Sequence, residues 1–492
     1  MTVPAQPSLE SGLAGRQIVT GLWQMADQER ARATDLDAAA EALAAYARDG
    51  FDAFDMADHY GAAEIVAGRA ARILAAEGRP APLIMTKWCP PPGPMTRDVV
   101  RAGVELALER LGLERVDVMQ LHWWRYDHPG YLDAMTELAR LREDGLIGAL
   151  GVTNFDAAHL RLLVRNGVEV ATNQICFSLL DRRAAGRMST VCAELGVELL
   201  AFGTLGGGFL SERWLGAPEP ADVADWSKLK YRRFIDAAGG WAAFQRLLAT
   251  LDGVARRHDA SIANVATRWV LDHAAVGTVI VGARLGEREH RADNRRMLAI
   301  NLDAADRAAI EAASGALAPI PGDCGDEYRR PPFLTAAGDL SHHLGAVPKV
   351  YTAAPVPARP ARTRVDSGSP WEAAAGFSRA VRVGARILIS GTTATDVHGA
   401  CVCPGDVEGQ TVFILDKIAA ALDALGAALD DVVRTRIYLT DPACWEEAAR
   451  AHARAFGTTL PANTLVAVAG LVGPYLVEIE AEAVVASDRA TS

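Results

Sequence analysis

Apolar runs rich in β-branched residues recur through the first 300 or so residues, and nearly every one is followed by a polar or aromatic side chain. Between the runs lie stretches whose apolar positions return every three or four residues, the spacing of a helix face. The runs predict strands at Ile18–Leu22, Ala53–Met56, Leu83–Thr86, Val116–Leu121, Ile147–Val152, Glu169–Ile175, Glu198–Ala201 and Thr278–Val281. The stretches predict helices at Leu36–Arg48, Glu64–Glu77, Arg97–Leu111, Tyr131–Glu143, Ala157–Asn166 and Arg183–Leu195. In Arg97–Leu111, for example, Val100, Val104, Ala107 and Leu111 fall on one face. Glycines such as Gly50, Gly112, Gly145, Gly167 and Gly196 mark where helices stop. Strands alternating with helices predict parallel pairing. Eight such units fit an α/β fold closed as a (β/α)8 TIM barrel, with an open doubly wound sheet as the rival. A dinucleotide-binding open sheet would want G-x-G-x-x-G after an early strand, and none stands there.

The pattern changes after about Leu344. Val347 to Arg364 carries Pro348, Pro355, Pro357 and Pro360 and reads as a linker. Beyond it, Arg379–Val383 and Arg386–Ser390 alternate about Gly384 as a hairpin would. An Ala-rich amphipathic helix at Gln410–Leu425 follows, then a strand at Val432–Leu439, a helix at Cys444–Phe456 and strands at Asn463–Val468 and Leu476–Val485. That order is α+β. The expected division is a flexible N-terminus (1–14), a barrel (15–345), a Pro/Ala linker (346–361) and a smaller α+β domain (362–487).

Composition narrows the classes. A chain of 492 residues, half hydrophobic and 23% charged, is an ordinary soluble protein with room for two cores. A net charge of -11 argues against nucleic-acid binding by bulk electrostatics. The seven cysteines are scattered, which predicts reduced thiols and a cytoplasmic setting. Cys401 and Cys403 form a lone C-x-C without further ligands near it, so no metal is expected. No basic-then-apolar leader opens the chain, and no apolar run reaches the roughly 18 residues that would cross a membrane.

The strand ends carry the candidate chemistry, because barrels of this class work at the C-terminal ends of their strands. Read in order, those ends are Trp23, Asp55 with Tyr60, Lys87, His122, Thr153 with Asn154, Asn173 with Gln174, Phe202, and Gly282-Ala283-Arg284. A phenol donates a proton usefully only if its pKa falls from about 10, and a neighbouring ammonium can lower it. Tyr60 is the candidate acid, Lys87 the cation, Asp55 its anchor and His122 a second donor. Hydride addition to C=O builds charge on oxygen that such an acid neutralises. No H-E-x-x-H pairing suggests metal-assisted hydrolysis. Trp123 and Trp124 either wall the substrate pocket or pack in the core. Trp214 and Trp226, in the long loop after the seventh strand, are either lid residues or loop packing. The turn-rich, charged tail from Gly322 to Pro332 is expected to fold back over the barrel mouth.

Residues 15–345 resemble the aldo-keto reductase family. Its D-x-A-x-x-Y-G pattern matches Asp55 to Gly61, and its lysine and histidine fall on Lys87 and His122. Gly151-Val152-Thr153-Asn154-Phe155 is similar to the family's G-V-S-N-F, with Thr153 for the commoner serine. The resemblance implies that Asn154 and Gln174 hold the nicotinamide carboxamide and that Phe202, in place of the usual tyrosine, stacks on the ring. It also gives Trp23, Thr153, Gly203, Leu205 and Gly282 to the cofactor site. Arg284, with Arg288 and Asn294, would grip the adenosine 2′-phosphate and so favour NADPH. Otherwise the two arginines are simply exposed on the last barrel helix. The smaller domain resembles the Rid (YjgF-like) family, of chorismate mutase-like fold, on Ser390-Gly391-Thr392, Gln410-Thr411, Val433 to Asp441 and Val477 to Glu480. Members are typically trimers with clefts between subunits, and the deaminases among them bind substrate carboxylate with an arginine after Pro-Ala. Here that position is Asn463, while Glu478, the water-orienting acid, remains. The expected function is an NADPH-dependent oxidoreductase of an aldehyde, ketone or sugar, trimerised by its C-terminal domain. The alternatives are a bifunctional reductase and imine-processing enzyme, or a nucleotide sensor, against which the intact Asp-Tyr-Lys-His set argues.

Overall fold

The computed structural model describes residues 12–26, 35–91, 93–223, 226–286, 290–329 and 348–486. Arg288, most of the expected flexible N-terminus and the first part of the expected linker lie outside the described residues.

Eight parallel strands close into a barrel: β1 (Ile18–Gly21), β2 (Ala53–Asp55), β3 (Leu83–Trp88), β4 (Val116–His122), β5 (Ile147–Thr153), β6 (Thr172–Cys176), β7 (Glu198–Phe202) and β8 (Val276–Gly282). The ring is sealed by β1 against β8, Gly21 opposite Gly282. Closure excludes the open sheet. The outer layer is α1 (Leu36–Arg48), α2 (Ala63–Ala76), α3 (Arg97–Leu111), α4 (Tyr131–Glu143), α5 (Ala157–Arg165), α6 (Arg187–Leu195), α7 (Trp226–Ala237), α8 (Gly240–Arg257), α9 (Ile262–Leu271), α10 (Arg291–Ala299) and α11 (Ala304–Gly315). Val19, Ala53, Leu83, Met85, Val118, Ala149, Ala171, Leu200 and Ile280 fill the barrel interior. The barrel is therefore a packed core, and its open end lies above this plug. Register gathers the predicted strand-end residues there: Lys87 faces Gln120, His122 faces Thr153, and Thr153 faces Gln174. Trp214 does not serve as a lid. It packs on Phe209 and Trp241, with ring centroids 5.0 and 5.7 Å away. Trp226 opens α7, and its side chain lies outside the described residues.

The second unit is a seven-stranded sheet of order β14-β13-β15-β12-β11-β10-β9. Its members are β9 (Ala353–Val356), β10 (Arg359–Val365), β11 (Ala380–Val383), β12 (Arg386–Thr392), β13 (Val432–Leu439), β14 (Ala462–Ala467) and β15 (Val477–Val484), with α12 (Pro370–Ala375), α13 (Val407–Ala424) and α14 (Trp445–Phe456). One correction follows. The proline-rich stretch 346–361 is not a bare linker, because β9 and the start of β10 lie in it. They form the outer end of the sheet, where a strand tolerates proline, and the pairing shifts register between Arg359 and Thr363, around Pro360. A second correction concerns α13, expected to be amphipathic. It is buried over almost its whole length. One side lies on β12 and β15, and another lies on α5 of the barrel. A helix covered on all sides carries apolar residues all round.

Candidate functional site

Lys87 is 1% exposed and its Nζ lies 2.6 Å from Asp55 Oδ2. The ammonium also donates to the Met56 carbonyl at 2.9 Å. The other carboxylate oxygen of Asp55 accepts from Gln120 Nε2 at 2.9 Å and from Gln174 Nε2 at 2.8 Å. A buried charge pair is tolerable only when its remaining hydrogen-bonding capacity is met, and here both carboxylate oxygens are used. Lys87 Nζ stands 5.0 Å from the centroid of the half-buried Tyr60 ring. His59 makes an edge contact with Tyr60 at 4.8 Å and lies 6.4 Å from the His122 ring. His122 is buried, stacks on Trp124 at 4.7 Å and meets the edge of Tyr328 at 5.7 Å. The structure thus brings together Asp55, Tyr60, Lys87 and His122 from the ends of three successive strands and one loop.

Asn154 adopts φ 57°, the left-handed region that asparagine tolerates better than most residues. That turn aims its amide at His122 Nε2, 3.3 Å away. Asn154 Oδ1 and Thr153 Oγ1 are buried and have no hydrogen-bond partner among the described residues. Buried polar atoms of this kind call for a ligand, and a carboxamide is a fitting one. Phe202 and Leu205 are half-buried at the end of β7. Between them Gly203 has φ +72°, and a Cβ there would run into Tyr231 and Cys176. Trp23 is half-buried after β1, Gly282 and Arg284 line the rim after β8, and Asn294 is buried on α10. Gln174 departs from expectation in one respect: its amide nitrogen is committed to Asp55 and, at 3.0 Å, to Gln120.

Two participants, Gln120 and Lys230, escaped the sequence reading, and a third, Tyr328, lies in the tail expected over the mouth. Gln120 lies inside an apolar strand, where a buried polar side chain is itself a signal. Lys230 of α7 is buried, 4.9 Å from the Phe202 ring and 3.0 Å from Tyr328 Oη. Tyr328 is part of the tail, whose described residues, 322–329, lie over the mouth. Of the paired tryptophans, Trp124 walls the site and donates to Cys89 Sγ at 2.6 Å. Trp123 is core, its indole nitrogen donating to the Arg125 and His128 carbonyls. Cys176, Asp181 and Glu327 are the only grouping among the described residues with metal-ligand spacing. Arg183 already joins Asp181 and Glu327 at 2.6 and 2.7 Å, and burial pushes the Cys176 thiol far up. The cluster is an ion-pair knot.

In the C-terminal sheet, Glu478 on β15 is half-buried, and burial raises its carboxyl pKa against the opposing field of Arg379. Gly391 lies so close that a Cβ there would meet the Glu478 carboxylate. Asn463 is exposed on β14 and donates to Thr435 Oγ1 at 2.9 Å.

A closed barrel with an amine, a phenol and an imidazole gathered at its C-terminal mouth has its candidate chemistry where barrel enzymes carry theirs. Comparison narrows the class: the chain belongs to the aldo/keto reductase family, whose model matches residues 17–314. A second model, Endoribonuclease L-PSP, matches residues 368–485. An aldo-keto reductase of Mycobacterium sp. (strain KMS) is 32% identical over 220 residues, 44% of this chain and 72% of that one. A RutC family protein of Pyrococcus horikoshii is 34% identical over 105 residues, 21% of this chain and 83% of that one. The glycerol dehydrogenase of Gluconobacter oxydans shares the fold at 22% identity and TM-score 0.51, covering 62% of this chain and 93% of its own. The match to flagellar radial spoke protein 5 of Chlamydomonas reinhardtii is 32% identical over 179 residues, 32% of this chain and about a third (34%) of that protein. Aldo-keto reductases are oxidoreductases that use nicotinamide cofactors. No helix among the described residues is long and apolar enough to cross a membrane.

Proposed function

We propose that the chain is an NADPH-dependent oxidoreductase interconverting a small aldehyde, ketone or sugar carbonyl with its alcohol. The observation that carries the reading is the buried Lys87–Asp55 pair beside Tyr60, with His122 at the same barrel mouth. Tyr60 gives its phenolic proton to the carbonyl oxygen in reduction and takes it back in oxidation. Lys87 stabilises the phenolate by Coulomb attraction, and Asp55, held by Gln120 and Gln174, keeps the ammonium in place. His122 orients the carbonyl oxygen by a hydrogen bond. The nicotinamide, when bound, supplies or accepts the hydride. Asn154 and Thr153 would hold its carboxamide, and Phe202 would lie against its ring. Arg284, with Arg288, would favour a 2′-phosphate by bidentate charge-assisted bonds.

For the C-terminal domain the reading is a Rid-like trimerising unit without the usual carboxylate grip. The open face of its sheet supports this, since Leu388, Val433, Val466 and Val484 stand exposed there. Light scattering should then return three times the 52.3 kDa chain mass. The half-buried Glu478 favours a second reading, in which the same domain processes an imine without a carboxylate. The deciding experiment for the barrel is NADPH oxidation over a panel of aldehydes, ketones and sugars, with Arg284→Ala alongside. Arg284→Ala should weaken NADPH by about tenfold and leave NADH unchanged, about 1.4 kcal/mol. An equal loss for both cofactors rejects the phosphate assignment.

A further inference from the structure

The two units meet through charge as well as packing. Tyr131 Oη donates to Asp416 Oδ2 on α13 at 2.8 Å. His159 of α5 lies between Asp156 and Asp416, at 2.8 and 3.1 Å. Burial opposes the charge on His159, but the two carboxylates together raise its pKa. Asp156 caps the N-terminus of α5, two residues beyond Asn154. Burial alone would push its carboxyl up, yet Arg454 and His159 hold it well below the usual range.

Arg454, on α14 of the second unit, does more than neutralise Asp156. Its guanidinium reaches Asp156 at 2.6 Å, Asp323 at 3.2 Å and Asp326 at 3.3 Å. Asp323 and Asp326 belong to the segment 322–329 that crosses the barrel mouth. The barrel fixes that segment from below. Arg183 donates to the Asp323 carbonyl at 2.7 Å, and Arg329 donates to the carbonyls of Asn154 and Trp123, both at 2.6 Å. Gly325, at φ +82°, lets the backbone press on the Asn154 carbonyl, where any Cβ would collide. So held, the segment presents Tyr328 to His122 and Trp124, with ring centroids 5.7 and 5.5 Å away. Trp124 and Tyr328 are themselves buried, and both border a space between the two units. Behind them lies a cavity of about 350 Å³ between the two units, with Leu415, Asp416, Ala451 and Arg454 on its far side. With space behind the rings, the position of the wall depends on what anchors the segment.

We propose that the C-terminal unit completes the reductase pocket of its own chain: Arg454 is a positioning residue that clamps segment 322–329 and so sets Tyr328, a specificity residue for the carbonyl substrate. The proposal deepens the reductase reading and rests on it. Small displacements of a pocket wall cost substrate recognition steeply. The effect should be larger on the substrate side, because the Tyr328 ring meets His122 directly, whereas the segment reaches the cofactor residues only through the Asn154 carbonyl, which Arg329 still holds, and through Lys230 beside Phe202.

The test uses the full chain. Arg454→Ala should raise deuterium uptake in segment 322–329 and raise KM for the carbonyl about tenfold. It should leave kcat within about threefold and the fluorescence-measured NADPH affinity within about twofold. Tyr328→Ala should raise KM comparably, and the double variant should add little further. A clamp that only stabilises the fold would lower the melting temperature without this KM-against-kcat split. Arg454→Ala leaves three acids facing one another, so Asp326→Asn, which keeps Arg454 paired with Asp156, is the second variant and decides should the first fail to fold. Unchanged uptake and unchanged KM in a folded variant overturn the proposal. If the wild-type chain reduces no carbonyl, the function assigned above falls; the uptake comparison then still decides the clamp, a rise supporting it and no change rejecting it.

Discussion

Asp55 and Glu478 are each the acid of a candidate site, and their surroundings differ in kind. Asp55 is 3% exposed, and each of its oxygens is bonded within the same barrel, to Lys87, Gln120 and Gln174. Glu478 is half-buried on the open side of a sheet, and Asn463, at the position where the resemblance expects a carboxylate-binding arginine, stands exposed and turned toward Thr435. The barrel acid is complete inside one chain. The sheet acid faces a surface left for something else to cover. Burial with saturated partners marks the region assembled for chemistry in the monomer. Partial burial beside exposed apolar side chains leaves a face of the kind that the proposed assembly would cover.

The largest expected effect tests the barrel side of this contrast. Tyr60→Phe should lower carbonyl turnover by about a thousandfold, some 4 kcal/mol of barrier, because it removes the proposed general acid. NADPH binding, followed by fluorescence, should persist. Turnover within tenfold of wild type would remove Tyr60 from the role of proton donor. Lys87→Met comes next. It strands Asp55 as a buried unpaired charge and should cost about 3–5 kcal/mol of stability in urea titrations. Glu478→Gln, half-exposed, should cost under about 1 kcal/mol. Equal losses would erase the distinction between the two regions.

Acid separates them more gently. Burial would push the Glu327 carboxyl up, but Arg183 and Lys230 bring it down to about 2. The folded protein therefore holds this proton more weakly than the unfolded chain, whose carboxyl titrates near about 4.3. The stabilisation is complete above that value and is lost as pH falls from there toward 2. Between pH 7 and pH 3 wild type should lose about 2 kcal/mol more than Glu327→Gln. Identical pH profiles would show that Glu327 titrates in the folded protein as it does in the unfolded chain.

Much of the barrel was legible because period and polarity agree there. Several strands carry a polar residue at or near the point where the backbone leaves the core, so Asp55, Lys87 and His122 could be read from the sequence. Gln120 was hidden because it lies two residues before His122, within the apolar run, where periodicity offers no cue. β9 and β10 were hidden because proline-rich strands at the outer end of a sheet look like linkers. The complete burial of α13 could not be read from its own residues, since the covering surface, α5, lies more than 200 positions earlier. Arg454 had the same difficulty: on α14 it reads as a solvated charge, and only the fold brings Asp156, Asp323 and Asp326 around it. Local pattern reports which face is apolar, but not which distant surface meets it.

The smallest expected effect belongs to Asn463. Its amide donates to Thr435 Oγ1, but that hydroxyl also lies 2.9 Å from Nε2 of the half-buried His452, so Thr435 keeps a partner when the amide is removed. The side chain sits on the exposed β14, where substitutions cost little. Asn463→Ala should therefore shift unfolding by less than about 0.5 kcal/mol and leave carbonyl reduction unchanged. A loss several times larger would mean that β14 is tied into the fold as tightly as β3, and the sheet face would no longer be a surface awaiting a partner. If the loss appeared only at concentrations where light scattering shows an assembly, the cost would lie in the contact between copies, and the contrast between a self-contained barrel and an assembly-dependent sheet would stand on firmer ground.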